Sequence, residues 1–195
     1  MKKIITGCIS ILFVVALMAV SNADAGATYI GAKKCKACHM KQFKAWSATK
    51  MAESFENLKA GVKVAEKKAA GLEDKDYTTD AKCLKCHTTG FGKGGFTSME
   101  ATPDLAGVQC EGCHGPGSEY SKEMKAKQAA WKKDGYTSEE LKKIGLIIPS
   151  EDEKGCMACH GGESPFTEKV NAKHKFDFKD RLEKTHEHFP LKYKK

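Results

Sequence analysis

The sequence predicts a mainly α-helical chain with long loops and few or no strands. Three observations predict it. Apolar residues recur at helical rather than alternating spacing, Gly and Pro punctuate the intervals between them, and one pentapeptide, C-x-x-C-H, occurs four times. The copies are Cys35-Lys36-Ala37-Cys38-His39, Cys83-Leu84-Lys85-Cys86-His87, Cys110-Glu111-Gly112-Cys113-His114 and Cys156-Met157-Ala158-Cys159-His160. Two cysteines three apart lie about one helical turn from each other, so both sulfurs can reach the two vinyl groups of one porphyrin. The histidine that follows turns its imidazole onto the iron. The pattern is the attachment site of c-type haem.

Paired C-x-x-C units also bind zinc, but zinc ribbons give no reason for histidine to follow the second cysteine four times. Eight of the nine cysteines belong to the motifs, and the ninth, Cys8, lies near the N-terminus. None is left over for a structural disulfide. Four covalently bound haem c groups are therefore expected, with Cys35, Cys38, Cys83, Cys86, Cys110, Cys113, Cys156 and Cys159 as thioether positions. His39, His87, His114 and His160 are the proximal iron ligands.

Residues 1–25 read as a secretory signal peptide. Lys2 and Lys3 form its basic start, Ile4 to Val20 its apolar stretch, and Ala23-Asp24-Ala25 an A-x-A cleavage site before Gly26. The apolar run is short for a membrane span, although retention as an anchor is the alternative. The expected mature chain, residues 26–195, is a single domain in the periplasm with no membrane span. It has a net charge of +7, against +8 for the full 195 residues. Haem propionates offset part of that excess, and the remaining lysines suit the steering of a redox partner. No motif supports nucleic-acid binding.

Four haems in 170 residues leave too little polypeptide for a separate core around each. The expected architecture is a compact multihaem cytochrome c with closely packed haems. Between the motifs, Phe43, Trp46, Met51, Phe55 and Leu58 follow roughly helical spacing, and Tyr120, Met124 and Trp131 share one face. Thr137 with Glu140 resembles a capping box opening a helix to Ile144. Asp177 caps a C-terminal helix that presents Phe178, Leu182, His186 and Phe189 together. Gly90, Gly92, Gly94 and Gly95 mark a tight excursion between the second and third motifs. Pro103, Pro116, Pro149 and Pro165 fall in loops, and Lys192 to Lys195 form a basic, fraying tail.

The sixth ligand of each iron decides its chemistry. Seven histidines include four proximal ones, so His174, His186 and His188 alone remain and four bis-histidine haems are impossible within one chain. His186 lies on the apolar helical face and suits a ligand better than a packed core residue. His188 and His174 read as surface residues. Methionine at helical spacing is usually core packing, and spacing alone leaves Met51 and Met124 in that class.

The segments Lys33-Lys34-Cys35, Asp76-Tyr77-Thr78, Gly90-Phe91-Gly92, Gly107-Val108-Gln109-Cys110, Cys113-His114-Gly115-Pro116-Gly117 and His186-Glu187-His188 resemble the tetrahaem cytochrome c-554 family. The resemblance runs from about Lys33 to Phe189. It implies three haems with two axial ligands and an open axial position on the second, at His87. That family, known from ammonia-oxidising bacteria as an electron acceptor for hydroxylamine oxidoreductase, uses three distal histidines. Here two of those positions are Met51, in Thr49-Lys50-Met51, and Met124, ten residues after His114. The third matches His186. The resemblance thus implies candidate distal ligands Met51, Met124 and His186, pairing His39 with Met124, His114 with His186 and His160 with Met51. Pro165 and Phe166, in Ser164-Pro165-Phe166-Thr167, are similar to the residues lining the open face.

The functional expectation is a periplasmic tetrahaem c-type cytochrome that passes electrons between redox partner proteins. A multihaem oxidoreductase and a quinol-oxidising complex are the candidate partner classes. Two alternatives stand beside it: reduction of nitric oxide or a related small molecule at the open second haem, and a subunit of an extracellular haem wire. The carrier needs no catalytic side chain, because the chemistry belongs to the cofactor.

Overall fold

A computed structural model describes residues 26–149, 153–185 and 189–195. The predicted leader, His186 and His188 lie outside the described residues. Ten α-helices occur in what is described: α1 Ala32–Cys35, α2 Met40–Ser47, α3 Val64–Ala69, α4 Ala81–His87, α5 Cys110–His114, α6 Ser118–Ala126, α7 Gln128–Asp134, α8 Ser138–Lys142, α9 Lys154–His160 and α10 Phe178–Lys184. Turns of 3-10 helix at Ser54–Leu58, Pro103–Leu105 and Ala172–His174 link them. Pairing of extended backbone among the described residues is confined to two isolated bridges, Thr88 with Ala106 and Tyr136 with Lys194. The expected mainly helical, loop-rich fold is what the chain adopts.

The helices are short, the longest of those described having nine residues. Helices of this length do not hold themselves in water, so packing must hold them. One cluster gathers Phe55, Leu58, Tyr77, Leu84, Phe96 and Leu105 around the second motif. Burying each such side chain contributes roughly 1.5–3 kcal/mol. A second cluster joins Tyr120, Trp131, Tyr136 and Leu141. By contrast α2, α9 and α10 bury no residue fully. Apolar side chains such as Phe43, Trp46 and Phe176 remain half-buried.

Three expected helices end earlier than their spacing suggested. After α2, the Thr49 hydroxyl and amide both donate to the Trp46 carbonyl, at 2.7 and 2.8 Å, and the chain turns before Met51. Phe55 and Leu58 then lie on the separate 3-10 segment. The face shared by Tyr120 and Trp131 is broken at Lys127, whose φ of −93° and ψ of 5° place it between α6 and α7. In one straight helix the two rings would stand about 16 Å apart along the axis. The break lets both enter one cluster. Phe189 lies outside a helix because Pro190 disfavours helical backbone in the residue before it.

Both expected helix caps form, although α8 ends at Lys142, short of Ile144. Thr137 and Glu140 form the capping box of α8, and Asp177 caps α10 by accepting from the Asp180 amide at 2.9 Å. The tail is pinned instead of frayed: Tyr136 N–H donates to the Tyr193 carbonyl at 2.9 Å, and Lys195 N–H to the Tyr136 carbonyl at 2.8 Å. Pro103 opens the 3-10 turn, and Pro116 and Pro165 sit in irregular chain. The glycine excursion folds back so tightly that a Cβ on Gly95 would lie 2.4 Å from the Thr89 carbonyl oxygen.

Candidate haem sites

The second and fourth motifs close α4 and α9, and the third is the whole of α5. The first begins at the last residue of α1 and continues as a turn, with His39 N–H and Cys38 N–H both donating to the Cys35 carbonyl, at 3.0 and 3.2 Å. In all four, local hydrogen bonding keeps the two sulfurs and the imidazole within one turn of chain. Each histidine stands at the end of that turn, where the helix stops and the ring can project.

The rings of the motif histidines are oriented from behind. His87 Nδ1 lies 2.6 Å from the Ser54 carbonyl oxygen, and His114 Nδ1 lies 3.0 Å from that of Ile147. A ring donating Nδ1–H to a carbonyl presents Nε2, unprotonated, in the opposite direction, which is the state an iron ligand needs. His160 is held differently, stacked on Phe176 with ring centres 4.7 Å apart and 14° between planes. Burial pushes the His39, His87 and His160 imidazoles below the usual range, favouring the neutral ligand form. At His87 the hydrogen bond to Ser54 acts in the opposite sense.

The motifs meet in a definite order. The Cys35 and Cys110 side chains lie close together, as do those of Cys86 and Cys159. The neighbouring Cys159 pulls the Cys86 thiol down to about 7, against its burial. Burial pushes Cys113 up to about 11, with the charges of Cys156 and Cys110 adding to the rise. Helix contacts agree, α1 against α5 and α4 against α9. The sites therefore run first, third, fourth, second through space, which is not their chain order.

The candidate distal residues occupy different settings. Met51 is half-buried in the turn after α2, its carbonyl accepting from Val108 N–H at 3.1 Å, just before the third motif. Met124 is half-buried on α6 against the cluster of Tyr120, Trp131, Tyr136 and Leu141. Pro165 is exposed, and Phe166 meets His174 edge-on with ring centres 5.6 Å apart. His186 lies outside the described residues. Ser54, Ile147 and Phe176 were not singled out from the sequence. Their contacts run through two main-chain carbonyls and one ring face, which leave no residue-type pattern to read.

These residues fit covalent haem. None of the eight motif cysteines is engaged in a disulfide, and two of the four histidines direct Nδ1 to a carbonyl. The helices flanking the first and fourth sites leave apolar side chains that the polypeptide does not cover by itself. Haem bound there supplies one-electron exchange between ferric and ferrous iron.

Short helices joined by loops, with four contiguous C-x-x-C-H turns, define a multihaem c-type cytochrome. Comparison with known proteins narrows the class. The family model described as "Cytochrome c554 and c-prime" matches residues 34–115. Cytochrome c-554 of Nitrosomonas europaea is 38% identical over 186 residues, covering 86% of this chain and 78% of that protein. The solved structure of reduced cytochrome c554 from Nitrosomonas europaea superposes with a TM-score of 0.77 at 36% identity, covering 88% of this chain and 91% of that one. This chain belongs to the cytochrome c554 family. It is a c-type cytochrome, an electron carrier with four covalently bound haem c groups.

Proposed function

We propose that the protein is a periplasmic shuttle that takes electrons from one redox protein and delivers them to another through its row of four haems. The supporting observation is the nearness of the motifs, the first packed on the third and the second on the fourth, with the third near enough to the fourth for their cysteines to feel each other's charge. Such a row lets an electron entering at one end leave at the other without diffusing. The basic surface, net +8 over the full sequence, suits transient docking on an acidic partner such as a multihaem oxidoreductase or a quinol-oxidising complex. The leader, Lys2 to Ala25, would deliver the chain to the compartment where haem c is attached.

The same reading assigns the distal ligands as Met124 for the first site, His186 for the third and Met51 for the fourth, with the second open beside Pro165 and Phe166. The half-buried state of both thioethers supports it, since neither is sealed in a core. Thioether favours ferrous iron more than imidazole does, so two sites should stand at higher potential than the bis-histidine site. Cyanide or nitric oxide tests the open position: a spectral shift in one haem of four is expected, and four inert low-spin haems would contradict it. Fractionation of expressing cells tests the location. Holoprotein released by osmotic shock and beginning at Gly26 is expected, whereas a retained leader would overturn this part.

A further inference from the structure

Glu111 is 1% exposed, the most buried charged residue among those described, and no relay role of the motifs requires it. It occupies a variable position of the third C-x-x-C-H. Its Oε1 accepts from Ile30 N–H at 2.9 Å and from Gly117 N–H at 2.7 Å. Oε2 accepts from Gly31 N–H at 2.7 Å and from Ile30 N–H at 3.1 Å. Every contact has the carboxylate as acceptor, which is what the ionised form offers. No Lys or Arg of the described residues forms an ion pair with it.

The amides it gathers come from both sides of a junction. Ile30 and Gly31 lead directly into α1 and the first motif, while Gly117 follows the third. Gly31 has φ of +80°, and a Cβ on Gly117 would sit 2.9 Å from Glu111 Oε1, so the cradle is shaped around the carboxylate. Gln109 stitches the same junction without charge, accepting from Ala32 N–H at 2.7 Å and donating to the Asp104 and Ala106 carbonyls.

We infer that Glu111 is a positioning residue shared by the first and third haem sites, and that its unpaired carboxylate holds the reduction potentials of both sites down. The charge acts where the two sites meet. At Tyr29, beside the junction, it adds to the rise from burial. A fixed negative charge in a low-dielectric interior favours ferric over ferrous iron. Reduction adds one electron from an external donor and makes or breaks no bond. The inference is independent of which residues occupy the distal positions.

The test is a potentiometric titration of four-haem protein with dithionite as reductant, followed optically and by EPR, comparing Glu111→Gln with Gln109→Ala. Glu111→Gln should raise two of the four midpoint potentials, with the EPR signals of the first and third sites changing, while Gln109→Ala, which removes junction hydrogen bonds but no charge, shifts them by much less. Unmoved potentials in Glu111→Gln, a uniform shift of all four, or an equal shift in Gln109→Ala would each overturn the inference. If Glu111→Gln does not mature with four haems, Glu111→Asp decides the matter. Keeping the charge, it should carry four haems at unshifted potentials, and failure to do so rules the inference out.

Discussion

At the scale of single residues, the haem sites depend on groups outside the attachment motifs as much as on the motifs themselves. A carbonyl behind His87 and another behind His114 engage Nδ1 and leave Nε2 as the nitrogen that would face iron. Behind His160 an aromatic face does the aligning. Phe176→Leu should therefore leave four haems attached but alter the EPR g values of one, because the imidazole plane is free to rotate about its bond to iron. An unchanged spectrum would show that the stack does not set that plane. The four motifs could be read in the sequence as expected attachment sites because each is five consecutive residues whose chemistry is local. Glu111 was not. Its meaning lies in amides of Ile30 and Gly31 some eighty positions away, and only folding brings them together.

At the scale of elements, short helices are set by their ends more than by their interiors. The capping box of α8 and the Asp177 cap of α10 could be read from residue type and spacing, since both are contacts within three residues. Thr137→Ala should destabilise the second cluster by about 1 kcal/mol, seen as a lower Tm with the haem complement intact. No change in Tm would mean that α8 is held by Leu141 packing alone. The glycine excursion makes a harsher demand. Gly95→Ala would press a methyl against main-chain oxygen beside Thr89, which is 0% exposed, and should cost about 1–3 kcal/mol. Wild-type stability in that variant would show that the loop can relax. Helix lengths were less legible. Spacing records which residues face inward, but the turn at Thr49 and the break at Lys127 interrupt the helices, and at Lys127 the two elements share one cluster.

At the scale of the whole molecule, the order of the sites was hidden from the sequence, because which motif touches which is decided by long-range packing of α1 on α5 and of α4 on α9. What the histidine count did reveal is that four bis-histidine haems are impossible within one chain. A basic carrier should also exchange electrons in a salt-dependent way: oxidation of the reduced protein by ferricyanide should slow as ionic strength rises. A rate independent of salt would argue against electrostatic docking. The most direct test of the account is a potentiometric titration of the wild-type holoprotein with its optical spectrum recorded throughout. Four one-electron steps are predicted, two of them at higher potential and accompanied by the far-red absorption of thioether-bound ferric haem. Four low-potential steps without that absorption would contradict it.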